Sequence, residues 1–345
     1  MRRFFGAMCI CLMLLTMVSF ACANELWDFH ERGSDEGLAV GILPPPGLYF
    51  INNAIFGGAT NQYDNGGRAE PGVKLNGFLD IPILLWTPGC QFLGATYGAA
   101  IAQPFDQVTL RLSPPATPAT FTGNQWGAYN TVLVPFILSW QVPCHLFVST
   151  SFSIGLNDGT TSPADSAAAQ PGEQFKQLVL FSKDMRNAYA WSSNGSYQFT
   201  PTLGLSWLYR GWNLSAELAY TFYTKDTDTN YQTGDQFWAD YTLTYTWGRW
   251  TFGVGAEQQN QVFNDKFDSL VYNSAGQVIG TTGYRSQAGS MAVNYGVGPI
   301  LGYNFGPCSI MLIYNFPVTI KNDTGSEGLN FRLIIPLGNP ADWWR

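Results

Sequence analysis

The chain has 345 residues, 12% of them charged and 15% aromatic, and that charged share is about half the value usual for a soluble domain. Its 24 acids outnumber its 17 bases, for a net charge of −7, which argues against a nucleic-acid partner. No segment after the N-terminus approaches 18 consecutive apolar residues, so helical membrane spans are excluded.

Arg2 and Arg3, the apolar run from Phe4 to Phe20, and Ala21-Cys22-Ala23 before Asn24 have the three parts of a secretory signal peptide, residues 1–23. Its removal takes Lys plus Arg from 17 to 15 and the net charge to about −9. Residues 24–46 are polar and end in Pro44-Pro45-Pro46-Gly47. That stretch is too short for a domain and too stiff at its end for a plain linker. It either folds as a plug inside the structure built by the rest of the chain or lies across the periplasmic mouth of that structure.

From residue 47 to about 338 the pattern is period two. In Trp212 to Tyr220 the even positions are apolar or aromatic, and in Phe237 to Trp247 the odd ones are, with Asp240, Thr242, Thr244 and Thr246 between them. Alternation over about ten residues marks a strand with lipid on one face and water on the other. Extended along the chain it predicts about twelve strands, near 47–56, 73–86, 91–102, 128–140, 145–156, 197–209, 212–223, 237–247, 250–262, 291–305, 309–319 and 328–337. Pro82 and Pro135 are expected at bulges or near a rim.

Short turns alternate with long loops. Five of the turns are bracketed by aromatics: Trp86 to Phe92, Trp140 to Phe147, Trp207 to Trp212, Trp247 to Trp250, and Phe305 to Cys308. Rings gather at hairpin bases where one end seeks hydrocarbon and the other water. The fold class is therefore all-β, an antiparallel transmembrane β-barrel with short periplasmic turns and long extracellular loops, in the outer membrane of a Gram-negative cell and in contact with its lipid. Within the loop after residue 156, Glu173 to Tyr189 has near-helical apolar spacing and predicts a short helix capping the outer mouth or folding inward. Residues 339–345 form a C-terminal tail.

Cys90, Cys144 and Cys308 all fall on short turns. Neighbouring turns are two strands apart, about 10 Å, whereas a disulfide needs Cα atoms within about 7 Å, so free thiols are expected. With no CxxC and only His145 nearby, the cysteines offer no metal site. No metal and no cofactor is expected.

Leu43-Pro44-Pro45-Pro46-Gly47-Leu48-Tyr49-Phe50, Tyr197 to Leu208, and Gly298-Pro299-Ile300-Leu301-Gly302-Tyr303 resemble segments of the outer-membrane protein family associated with the meta-pathway of phenol degradation. The resemblance spans roughly residues 40 to 338. It implies a barrel that admits small hydrophobic or aromatic compounds. Many barrels end in a terminal aromatic residue read by the barrel assembly machinery, whereas this chain continues to Trp343-Trp344-Arg345. Either Phe331, Leu333, Ile335 and Leu337 carry that signal internally or the Trp pair replaces it.

Parity along the strands turns Lys74, Asp80, Glu217, Asp240, Glu257 and Arg332 inward as pore-lining charges. Glu217, Asp240 and Glu257 fall on three successive strands at similar depth and form one acidic wall, with Arg332 and Lys74 near the closure seam. Such a transverse field tunes selectivity; alternatively the charges pair with a plug residue such as Arg32. Phe78 and Trp238, with Trp86 and Trp126, are candidates for an apolar path. An enzyme is not expected: His30 and His145 are the only histidines, and neither is placed for lipid chemistry. The function the resemblance implies is passive or facilitated diffusion of small apolar or aromatic solutes. A structural or adhesion barrel and a general ion-conducting porin are the alternatives.

Overall fold

The computed structural model describes residues 30–112, 121–159, 195–225, 232–267, 291–323 and 328–340, with short stretches between 270 and 286. The signal peptide, residues 24–29, the helix expected over Glu173 to Tyr189, and residues 341–345 lie outside the described residues. In chain order the strands are β1 (Gly47–Tyr63), β2 (Ala69–Thr87), β3 (Gln91–Phe92), β4 (Ala95–Ala102), β5 (Phe105–Leu112), β6 (Phe121–Ala128), β7 (Val132–Val142), β8 (Leu146–Gly155), β9 (Gln198–Tyr209), β10 (Trp212–Tyr223), β11 (Gln236–Trp247), β12 (Trp250–Gln261), β13 (Lys266–Phe267), β14 (Leu270–Tyr272), β15 (Val278–Thr281), β16 (Arg285–Ser286), β17 (Val293–Asn304), β18 (Ser309–Lys321) and β19 (Gly328–Gly338).

Twelve of them, β1, β2, β4, β7 to β12 and β17 to β19, pair antiparallel in a ring. The pairings of β19 with β1, β1 with β2, and β2 with β4 close it. Closure matters because an open sheet edge in hydrocarbon would leave backbone groups without partners.

The pleat sorts the side chains. On β10, Ser215, Ala219 and Thr221 are buried while Trp212, Leu214 and Phe222 are exposed to the outside. On β11, Gln236, Trp238, Asp240, Thr242 and Thr244 are buried and Leu243, Tyr245 and Trp247 exposed. An apolar exterior and a polar interior invert the pattern of a soluble protein, as lipid on the outside requires.

The stretch expected as a loop over 103–127 is instead a hairpin of the wall. The inner half of β2, Ile83 to Trp86, pairs with β4, and its outer half, Val73 to Asp80, pairs with β5 in the same register. β4 and β5 are thus one strand interrupted at Gln103-Pro104, where Pro104 has no N–H to give. Gln103 still donates its backbone N–H to Pro82 O at 3.1 Å, so Pro82 and the interruption face each other. Pro135 lies at a bulge between β7 and β8, where register is lost between Leu133 and Phe136.

Aromatic rings band together at the short turns. Trp212 lies 4.9 Å from Tyr245, Trp250 lies 4.6 Å from Tyr303, and Tyr303 lies 4.7 Å from Phe305, centroid to centroid. Cys90, Cys144 and Cys308 are free thiols on three such turns. Residues 30–46 form no strand; they run through the interior as a series of tight turns, with backbone bonds Ser34 N–H to Glu31 O, Glu36 N–H to Gly33 O, Leu38 N–H to Asp35 O and Ile42 N–H to Ala39 O.

Candidate functional site

The site is the contact between residues 30–46 and the inner wall. Its floor is the acidic row. Glu217 on β10 lies directly opposite Asp240 on β11, and Asp240 directly opposite Glu257 on β12. Like charges side by side repel, so this row needs donors, and the segment supplies them. Asp240 accepts the backbone N–H of Gly33 at 3.1 Å and of Asp35 at 3.0 Å, one on each oxygen. Glu257 accepts from Asn315 Nδ2 of β18 at 2.8 Å.

Further along, Gly37 N–H donates to Thr242 Oγ1 at 2.8 Å, and Gly41 N–H to Ser206 Oγ at 2.8 Å. Ser139 and Ser149 return hydroxyl donors to Gly41 O and Val40 O, at 2.8 and 2.7 Å. Small hydroxyl residues on β7, β8, β9 and β11 thus act as a row of pegs. They leave room for backbone to approach: a Cβ at Gly41 would lie 2.5 Å from Phe147 O.

Arg332 holds the opposite side. Fully buried, it donates to Asn53 Oδ1 of β1 at 2.7 Å and to the carbonyl oxygens of Ser34 and Glu36. Arg32 donates to Gln259 Oε1 at 2.9 Å and pairs with Asp323 at 2.7 Å. Burial, with Asp240 and Glu257 nearby, pushes the Glu36 carboxyl up to about 9. Burial raises Glu31 to about 7 against the pull of Arg32. Burial also lowers the His30 imidazole, opposed by Asp35 and Glu31.

Of the charges assigned to the lumen, Glu217, Asp240, Glu257 and Arg332 gather at this contact, and Trp238 lies beside it. Trp238 is 1% exposed, donates its indole N–H to Thr221 Oγ1 at 3.1 Å and carries His30 at 5.4 Å. It lines packed interior rather than an open path.

Asp80 and Phe78 do not line the pore. On β2 the inward face is the odd one, shown by buried Ile81 and Thr87, with Ile81 opposite the inward Asn53. Asp80 shares the outer face with exposed Leu84 and Trp86, and accepts a hydrogen bond from Asn52 Nδ2 at 2.7 Å. Phe78 stacks outside against Phe56 at 4.9 Å and Trp126 at 5.8 Å. The reason is that Asn52 gives Asp80 a partner on that face, so its charge was no guide to the face. Lys74 pairs with Asn61 and Arg111 in the outer part of β2, and its side chain lies outside the described residues. Trp86 and Trp126, 45% and 57% exposed, are likewise outside.

Sequence reasoning missed Asp35, Glu36, Asn53 and Asn315, and the serine pegs. Only the inward parity of Ser139, Ser149 and Ser206 could have flagged any of them.

An outer membrane channel from Pseudomonas putida F1 has a similar structure, with a TM-score of 0.63 at 13% identity, covering 89% of this chain and 99% of that one. A toluene transporter from Ralstonia pickettii aligns at a TM-score of 0.41 and 12% identity over 86% of this chain and 91% of that one. The translocator domain of an autotransporter from Neisseria meningitidis aligns at 0.43 and 11%, over 85% and 90%. At 13% identity the likeness to the Pseudomonas putida channel speaks for the fold alone, an outer-membrane barrel. The sequence matches no curated protein. A family match covers residues 59–333, most of the chain, and by it the protein belongs to the family described as "Putative MetA-pathway of phenol degradation".

Proposed function

We propose that the protein is an outer-membrane channel admitting small hydrophobic or aromatic compounds by passive or facilitated diffusion, closed at rest by residues 30–46. The observation that carries this reading is how closure is made. The ring of wall strands is complete without the segment, and the segment is fastened inside it by separate hydrogen bonds, two to Asp240, one each to Thr242, Ser206, Ser149 and Ser139, and two from Arg332. Each of these is a bond that water can take over. A barrel serving only as scaffold or adhesin has no use for a removable filling. The family's link to phenol degradation supplies the solute class. Export by residues 1–23, periplasmic short turns, insertion by the barrel assembly machinery and absence of catalysis belong to the same reading.

A second reading, a general ion-conducting porin, is favoured by one observation: the wall around the segment presents hydroxyls and carboxylates rather than rings. Liposome uptake and planar-bilayer conductance separate the two. The mature protein is expected to pass phenol faster than an aliphatic solute of equal size, and a variant lacking residues 24–43 to conduct more. Equal passage of all solutes after the deletion establishes the porin. No passage of any solute, with or without the deletion, returns the protein to a structural barrel.

A further inference from the structure

Where the segment meets the acidic row, three groups converge that metals favour. His30 and Asp35 of the segment and Asp240 of β11 each place a ligand atom within 4.8 Å of the others. His30 Nε2 lies 4.0 Å from Asp240 Oδ2, beyond hydrogen-bond range. Two donors on one ion with bonds near 2.1 Å lie roughly 3–4 Å apart. The gap therefore has the width of an ion rather than of a hydrogen bond. Trp238, packed against the imidazole at 5.4 Å, helps fix its direction.

Independent observations point the same way. Glu217, opposite Asp240 in the wall, receives no hydrogen bond among the described residues. The nearby cations are engaged elsewhere: Arg32 by Gln259 and Asp323, Arg332 by Asn53 and two carbonyls of the segment. A buried excess of carboxylate calls for positive charge. Asp240 uses one lone pair on each oxygen for the amides of Gly33 and Asp35, which leaves capacity for a cation.

We propose that His30, Asp35 and Asp240, with Glu217 beside them, bind one divalent first-row transition-metal ion that latches the segment to the wall. An imidazole among carboxylates selects Zn²⁺ or Mn²⁺ over Ca²⁺ and Mg²⁺, which prefer oxygen alone. Two ligands come from the segment and one from β11, so the ion is a bond between the moving part and the fixed one.

The test uses the mature protein in detergent, stripped with a chelator and titrated with Zn²⁺, Mn²⁺, Ca²⁺ and Mg²⁺ by calorimetry, with Mn²⁺ also followed by electron paramagnetic resonance. One Zn²⁺ per chain is expected, bound at least tenfold more weakly by His30→Ala and by Asp240→Asn. Retention of the heat-modifiable gel mobility of a folded barrel is required of both. His30→Ala leaves the Asp240 amide contacts in place and so isolates the metal term. In planar bilayers Zn²⁺ is expected to lower the conductance of the parent protein and not that of His30→Ala. No binding, binding unchanged in both variants, equal affinity for Ca²⁺ and Zn²⁺, or binding without any effect on conductance overturns the proposal. The titration needs no transport, so its outcome stands apart from the solute assignment.

Discussion

Arg332 is an arginine with no exposed surface, in a lumen where most other large buried groups are amides and hydroxyls. It is tolerated because the guanidinium fork finds Asn53 Oδ1 and two carbonyls of the inner segment. Arg332→Ala leaves Asn53 Oδ1 and Glu36 O without this donor and Ser34 O with only the 3.4 Å bond from Asn53 Nδ2, and is expected to weaken seating of the segment by about 2 kcal/mol, seen as higher basal conductance in a bilayer. Asp80→Ala and Phe78→Ala make the contrasting case. Both side chains are on the outer face, so conductance and solute uptake are expected to stay at the parent level. The acidic row was legible from parity because Glu217, Asp240 and Glu257 stand in strands of clean alternation. Asp80 was not, because Pro82, two residues on, and the junction with β4 and β5 blur the alternation of β2.

The elements that seat the segment work by closeness of backbone. Gly41 has no side chain because the wall carbonyl of Phe147 stands where one would go. Gly41→Val is expected to cost about 1–3 kcal/mol in overpacking, shifting the segment toward release by roughly five- to 150-fold; bilayer conductance of the folded variant measures it. The boundaries of β9 to β12 and β17 to β19 were legible to within a residue or two, most of these strands running out from an aromatic turn, whereas the short strands β13 to β16 fall where a loop was expected. The hairpin β5–β6 was not legible. It continues from the outer half of β2. Val108, Leu110 and Leu112 do alternate with Gln107, Thr109 and Arg111, but Pro104 breaks the run before them and the Thr122-Gly123-Asn124-Gln125 stretch of β6 carries no apolar alternation to pair with it.

At the scale of the whole molecule, sidedness is testable through the two exposed thiols, Cys90 and Cys144. If the short turns face the periplasm, a membrane-impermeant maleimide is expected to leave Cys90 and Cys144 unlabelled in intact cells and to label both once the outer membrane is permeabilised. Labelling in intact cells reverses the orientation. The convergence of His30 with Asp240 shows what a linear reading cannot contain. The two are 210 positions apart and meet because one lies on a segment without strand period and the other on β11. Their meeting is a property of the closed ring and its filling, not of any spacing.

Arg332 also stands at the seam of the ring. β19 and β1 are the last and first wall strands, and Asn53 and Arg332 are direct partners across their junction. The same guanidinium that joins the two chain ends also grips Ser34 and Glu36. Joining the ends and seating the segment therefore draw on one side chain, so the loss of Arg332 is expected to touch both. Refolding of Arg332→Ala into detergent, timed by gel mobility, is expected to lag the parent even where the finished barrel is the same.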